Sequence, residues 1–118
     1  MCIRDRSSGV PIYGYSGWLD GAYQSSAIKR FRHLDSSSAR LILGPWDHGG
    51  MQQISSYCDS RTTGFNHVEE MIRFFDVHLR GREDDAPAVR YFTMGEERWK
   101  ESSSWPPAGT RMLSLIHI

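Results

Sequence analysis

The sequence predicts an α/β fold, because short apolar strands alternate along the chain with helical stripes of apolar residues. Residues 10–15 form a β-branched and aromatic run, and residues 39–43 form a second short apolar run. Between them, residues 22–33 carry apolar side chains at helical spacing. Strands and helices in alternation are typical of a sheet whose strands run mostly parallel.

A second helix is predicted after the polar, irregular stretch 49–64. Asn66 or Thr63 is a candidate amino-terminal cap, and Gly81 closes the pattern. The apolar residues that fall at helical spacing are Val68, Met71, Ile72, Phe75 and Leu79. We expect Phe74, Phe75 and Leu79 to pack against the rest of the fold.

The periodicity changes near residue 89. Residues 82–88 are polar and charged and are interpreted as a linker. Beyond them apolar and polar side chains alternate, as they do in a strand. We interpret residues 89–112 as the start of a separate β domain, with Trp99 and Trp105 covering the interface between the two domains.

Both ends of the chain are expected to be sequencing adapter. Reverse-translated, residues 1–6 and 113–118 encode one short DNA element in opposite orientations, and this element resembles a transposase mosaic end. Such segments are excluded before a fold is inferred. The remaining residues 7–112 are then expected to be an internal piece of a longer protein.

Composition excludes several classes of function. Twelve of the fourteen basic and thirteen of the fourteen acidic residues lie in 7–112, a balance that predicts no nucleic-acid partner. The sequence contains no run of eighteen apolar residues, so no membrane span is predicted. Cys58, His33, His48 and His67 lack the short spacing of metal ligands, so no metal and no cofactor are predicted.

Two loops that follow the predicted strands carry the candidate catalytic residues. Asp20 lies in the first loop and His48 in the second. Loops at the carboxyl ends of parallel strands converge on one crevice, and Asp before His matches the chain order Ser, Asp, His of α/β-hydrolases. From spacing alone an alternative remains open, in which Asp20 caps a helix and His48 satisfies a loop carbonyl.

Four separated motifs and two tryptophan-containing sites follow one another along the chain. They are Gly17-Trp18-Leu19-Asp20-Gly21, Gly44-Pro45-Trp46-Asp47-His48-Gly49, residues 73–81, residues 89–95, Trp99, and Ser104-Trp105-Pro106-Pro107. Together they resemble the CocE/NonD hydrolases, the cocaine-esterase-like and Xaa-Pro dipeptidyl-peptidase-like serine hydrolases. The resemblance implies the carboxy-terminal half of an α/β-hydrolase domain over 7–81 and the start of a jelly-roll (galactose-binding-like) domain over 89–112.

The same resemblance implies that Asp20 and His48 belong to a Ser-His-Asp triad. The reaction would cleave a small-molecule carboxylic ester or acyl amide through an acyl-enzyme. No Gly-x-Ser-x-Gly motif is present, and Ser16 lies on the wrong element to be the nucleophile, so this chain alone is expected to be inactive. The alternatives are an Xaa-Pro dipeptidyl-peptidase and a non-catalytic, jelly-roll-bearing binding protein.

The substrate pocket is predicted near the triad Asp. Relatives that hydrolyse α-amino-acid esters place carboxylates two and three residues after it, where this chain has Ala22 and Tyr23. The resemblance therefore implies a neutral acyl pocket at these positions. Trp18 and Trp46 flank the two loops and either line the pocket or pack beneath the loops. Asp47 is interpreted as a hydrogen-bonding loop residue.

Overall fold

The computed structural model describes residues 8–34, 37, 39–50, 55, 57 and 65–111. In chain order the elements are β1 (Ile12–Gly17), α1 (Gln24–His33), β2 (Ala39–Gly44), α2 (His67–Arg80), β3 (Val89–Thr93) and β4 (Arg98–Ser102). The predicted alternation of strand and helix is confirmed. The predicted adapter ends, Cys58 and Thr63 lie outside the described residues.

The four strands form one mixed sheet in the order β1-β2-β3-β4. β1 and β2 run parallel, with Ile12 opposite Ala39 and Gly17 opposite Gly44. β2 and β3 are also parallel, whereas β4 pairs antiparallel with β3. The carboxyl ends of β1 and β2 therefore lie side by side, as the sequence predicted.

β3 belongs to the same sheet as β1 and β2. Leu41 N donates to Ala88 O at 2.9 Å, and Val89 and Phe92 are buried. The alternation beyond residue 88 correctly predicted a strand, but alternation does not reveal the partner strand. The described residues form this one sheet, and the start of a jelly-roll domain over 89–112 stays a prediction.

The two faces of the sheet are covered by different elements. On one face, Leu41, Leu43 and Val89 form a buried cluster against α1, which contributes Ala27, Ile28 and Phe31. The opposite face packs against α2, where the Phe74 ring lies 5.2 Å from that of Tyr13. Burial of these apolar side chains is the main force that holds the layers together.

The two later tryptophans cover the two faces of the sheet. The Trp105 ring lies 5.4 Å from the Tyr91 ring on the α1 side. The Trp99 ring lies 5.7 Å from the Trp46 ring on the α2 side. Both side chains therefore pack onto this sheet, and their role at an interface between two domains stays a prediction.

α2 begins and ends as the sequence predicted. The Asn66 side chain accepts hydrogen bonds from Val68 N and Glu69 N, which satisfies two free donors of the first turn. Gly81 ends the helix with φ of 67°, a left-handed conformation that favours glycine. α2 carries no stretch long and apolar enough to cross a bilayer, and neither does α1, the other helix of the described part.

The predicted apolar stripe of α2 does not face the sheet. Its members are 46% to 78% exposed, whereas Glu70 and Phe74 are the buried residues of the helix. The five exposed members are Val68, Met71, Ile72, Phe75 and Leu79. The expectation that Phe75 and Leu79 pack is therefore wrong for the described residues, and the packing face includes a carboxylate.

Glu70 is buried because two partners compensate its charge. Tyr13 OH donates to Glu70 Oε1 at 2.7 Å, and Arg90 Nη1 lies 3.5 Å from Oε2. The Arg90 guanidinium also lies over the rings of Phe65 and Trp99, at 5.6 and 5.3 Å. Burial and the neighbouring Glu70 raise the pKa of the Tyr13 hydroxyl, so it remains a hydrogen-bond donor.

Candidate active site

Asp20 and His48 lie on loops that the backbone holds together. Trp18 N donates to Gly44 O at 2.8 Å, and Leu19 N donates to Trp46 O at 3.3 Å. These bonds continue the β1–β2 pairing past the ends of the strands. The loop after β1 therefore lies beside the loop after β2 along its length.

The side chains of Asp20 and His48 form a hydrogen bond across these loops. Asp20 Oδ1 lies 3.0 Å from His48 Nδ1. A carboxylate only accepts, so Nδ1 carries a proton, and in the neutral ring Nε2 keeps its lone pair. The structure thus brings together the two predicted catalytic residues, in the tautomer that suits a general base.

The two partners differ in exposure. The Asp20 side chain is 10% exposed, whereas that of His48 is 74% exposed. The second carboxylate oxygen of Asp20 accepts from Ser16 Oγ at 3.3 Å. The carboxylate is consequently fixed in the protein, while the imidazole edge that bears Nε2 is open to an incoming group.

Two residues near the pair are excluded from the roles of nucleophile and triad Asp. Ser16 is buried, and its hydroxyl contacts Asp20. Asp47 Oδ1 accepts from Gly49 N at 3.0 Å, and Gly50 N donates to Asp47 O at 3.2 Å. The interpretation of Asp47 as a hydrogen-bonding loop residue is confirmed.

Trp46 and Trp18 pack beneath the loops. Trp46 is 1% exposed, and its ring stacks on that of Tyr15 with centroids 5.4 Å apart. Trp18 Nε1 donates to Phe92 O at 2.7 Å, and its ring lies 6.0 Å from that of Trp105. Of the two roles that the sequence left open, the contacts favour packing for both residues.

Two glycines allow Trp46 to approach the strands closely. A Cβ at Gly44 would overlap the Trp46 ring, and a Cβ at Gly17 would overlap its backbone carbonyl. The sequence motifs contain both glycines, but their role is visible only when the two loops are placed together. The Gly17–Trp46–Gly44 contact fixes the backbone two residues before His48.

Ala22 and Tyr23 lie in the turn that follows Asp20, and both are exposed. The Tyr23 ring stacks on the His48 imidazole, with centroids 4.7 Å apart and planes at 26°. The sequence placed Tyr23 in the substrate pocket. Its observed contact is with the His48 imidazole, which no periodicity or spacing in the sequence indicates.

An apolar groove of about 610 Å³ opens beside His48 between β1 and α2. It is lined by Pro11, Tyr13, Tyr15, His48, Gly49, Gly50, His67, Met71, Phe74 and Phe75. Within it, the Tyr15 hydroxyl hydrogen-bonds with His67 Nδ1. Burial lowers the pKa of His67 and raises the pKa of Tyr15, so both groups are neutral at pH 7.

No group of three or more His, Cys, Asp or Glu residues in the described part of the chain could hold a metal ion. The possible ligand Cys58 lies outside that part. Together, the Asp20 carboxylate can orient the His48 ring and the imidazole can transfer a proton.

Sequence comparison places these residues among known hydrolases. Residues 2–50 match the X-Pro dipeptidyl-peptidase (S15) family. Two proteins named as serine esterases, from Mycobacterium bovis and Mycobacterium tuberculosis, are each 43% identical over 108 residues, covering 89% of this chain and 17% of theirs. The cocaine esterase of Rhodococcus sp. is 34% identical over 115 residues, covering 90% of this chain and 20% of its own.

Two solved structures share the fold. A CocE/NonD family hydrolase from Staphylococcus aureus superposes with a TM-score of 0.60 at 18% identity, covering 86% of this chain and 18% of its own. An aminopeptidase from a marine sediment Thaumarchaeota archaeon superposes with a TM-score of 0.66 at 24% identity. The match covers 83% of this chain and 18% of the aminopeptidase chain. The chain thus spans about a fifth or less of the length of these relatives. The sequence motifs, the esterase relatives and the shared fold together show that the chain is similar to the CocE/NonD-like hydrolases.

Proposed function

We propose that the full-length protein carrying this chain is a serine hydrolase that cleaves carboxylic ester or acyl-amide bonds through an acyl-enzyme. The observation that carries the proposal is the 3.0 Å hydrogen bond between Asp20 Oδ1 and His48 Nδ1. It leaves Nε2 of an exposed imidazole free to accept a proton. The names of the esterase relatives support the reaction class.

In this mechanism His48 acts first as a base and then as an acid. Its Nε2 takes the proton of a serine hydroxyl as that oxygen attacks the acyl carbon, and the proton then goes to the departing alcohol or amine. Asp20 remains ionised, holds the ring in the Nδ1–H tautomer and stabilises the imidazolium. Water repeats the sequence on the acyl-enzyme and releases the acid.

The serine comes from a part of the protein outside this chain. No Gly-x-Ser-x-Gly sequence occurs in the 118 residues, and the Ser16 hydroxyl is committed to Asp20. We therefore expect no esterase activity from the isolated chain. A fluorophosphonate reagent, which labels activated serines, should label the full-length protein and leave the isolated chain unlabelled.

The experiment that tests this proposal is replacement of His48 by alanine in the full-length protein. Turnover of a p-nitrophenyl ester should fall by about three orders of magnitude or more, as it does when a triad histidine is removed. His33, an exposed histidine whose Nδ1 contacts Lys29 O, provides the matched control. Near-normal turnover by His48→Ala would remove the imidazole from the mechanism.

A neutral acyl pocket is the second part of the proposal. Ala22 and Tyr23 occupy the turn next to the catalytic pair, and neither offers a carboxylate to a substrate ammonium. Esters with a free α-amino group and their N-blocked counterparts should therefore react at comparable kcat/KM. A strong requirement for the free amine would contradict this part while leaving the triad intact.

The second candidate function is an Xaa-Pro dipeptidyl-peptidase. The match of residues 2–50 to the X-Pro dipeptidyl-peptidase family is the observation in its favour. Hydrolysis of an Xaa-Pro p-nitroanilide at a higher kcat/KM than simple esters would select it. A third possibility, a non-catalytic binding protein, would instead give neither activity nor fluorophosphonate labelling.

A further inference from the structure

The face of the His48 imidazole is in contact with the ring of Tyr23. The two centroids lie 4.7 Å apart and the planes meet at 26°, a stacked arrangement. We propose that Tyr23 is a positioning residue that fixes the plane of the imidazole and favours its protonated form during turnover. The inference rests on the proposed function, because it concerns proton transfer by His48.

Asp20 alone leaves the orientation of the ring incompletely defined. Its hydrogen bond holds one atom, Nδ1, at 3.0 Å, and the ring can still rotate about that contact. The His48 side chain is 74% exposed, so the rest of the described structure restricts it little. A flat aromatic surface against one face removes this rotation and thereby fixes the direction of Nε2.

The backbone of Tyr23 is held by the turn that also carries Asp20. Tyr23 N donates to Asp20 O at 2.9 Å, and Ala27 N donates to Tyr23 O at 2.9 Å. The Tyr23 side chain makes no capping bond to α1. One turn therefore delivers both contacts, a carboxylate to the edge of the imidazole and an aromatic ring to its face.

The contact is stronger in the transition state than in the ground state. The face of an aromatic ring is electron-rich and attracts a cation within about 6 Å of its centroid. His48 becomes cationic only when it has taken the serine proton. Because the attraction grows as the proton arrives, it lowers the barrier and raises kcat, while KM is little affected. The hydroxyl of Tyr23 has no part in this effect.

The test compares Tyr23→Leu with Tyr23→Phe in the full-length protein, using kcat and KM for a p-nitrophenyl ester. Active sites are counted by titration with a phosphonate, so that unfolded molecules do not contribute. We expect Tyr23→Leu to lower kcat about threefold to tenfold with little change in KM, and Tyr23→Phe to restore it. Tyr57→Leu, at a tyrosine 72% exposed, is the control and should match the wild type.

Three results would overturn the inference. They are an unchanged kcat in Tyr23→Leu, a raised KM with unchanged kcat, or a Phe variant as slow as the Leu variant. If Tyr23→Leu yields no titratable sites, Tyr23→Met replaces it in the same comparison. His48→Ala distinguishes failure of the proposed function from failure of the Tyr23 inference. If His48→Ala stays active, the proposed function fails. If His48→Ala is inactive while Tyr23→Leu has normal kcat, only the positioning role of Tyr23 fails.

Discussion

Replacement of Gly44 by alanine tests the contact that supports the loop carrying His48. The added Cβ would overlap the Trp46 ring, and this ring cannot easily move away. It is surrounded by other rings with centroids between 4.7 and 5.7 Å away, namely Tyr15, Phe65, His67 and Trp99. The strain must therefore shift the ring cluster or the backbone that leads to His48.

The expected cost follows from this confinement. Overpacking a dense interior by one methyl group costs about 1–3 kcal/mol. At roughly 2–4 °C per kcal/mol for a domain of 150–250 residues, Tm should fall by about 2–12 °C. Because His48 lies two residues after Trp46, a displacement of about 1 Å at the imidazole would lower kcat by up to about 100-fold.

The assay is thermal unfolding and ester turnover of the full-length Gly44→Ala protein. Gly21→Ala is the matched control, because a Cβ at Gly21 would meet no atom within 4 Å. A Trp46→Leu replacement should relieve the strain, so the double variant should be more stable than the sum of the single effects predicts. Equal stability of Gly44→Ala and Gly21→Ala, or a strictly additive double variant, would refute the reasoning.

Three further predictions concern the triad carboxylate, a buried histidine and a helix cap. Asp20→Asn removes the charge that stabilises the imidazolium and should lower kcat by up to about 10⁴-fold, with KM little changed; a loss under threefold would contradict the role of Asp20. Burial holds the pKa of His67 below its ordinary value of 6.5, so its contribution to stability is complete above pH 6.5 and is lost as pH falls through the lowered pKa. The difference in Tm between pH 7.5 and pH 5.5 should therefore be smaller in His67→Gln than in the wild type. An unchanged difference would mean that His67 does not contribute to the pH dependence of stability. Asn66→Ala removes the cap of α2 and should cost about 1 kcal/mol in chemical unfolding, whereas no loss would mean that water replaces the cap.

The pairing of Asp20 with His48 could be predicted because two local patterns determine it. Apolar runs gave the strands, and residues that follow parallel strands collect at one edge of the sheet. Asp20 and His48 were therefore expected to meet, and their side chains do. The caps of α2 were also predictable, since Asn66 and Gly81 act on backbone groups within a few residues of themselves.

The buried face of α2 could not be predicted from periodicity. Glu70 is charged, and its compensation comes from Tyr13, 57 residues away in sequence, and from Arg90 on a different strand. The same limit applies to β3, whose alternation indicates a strand but not its neighbour. Tyr23 lies three residues from Asp20, yet its contact with His48 depends on how a turn orients two side chains.

Trp46 and the Asp47 turn hold the backbone on the two sides of His48. Trp46 anchors one side of His48 between two glycines, and the Asp47 turn closes the other side through Gly49 N and Gly50 N. The backbone on both sides of His48 is thus fixed, while its imidazole is oriented by Asp20. A directed-evolution library could therefore keep Gly17, residues 44–50 and the rings that surround Trp46, and vary other positions to change which substrates are accepted.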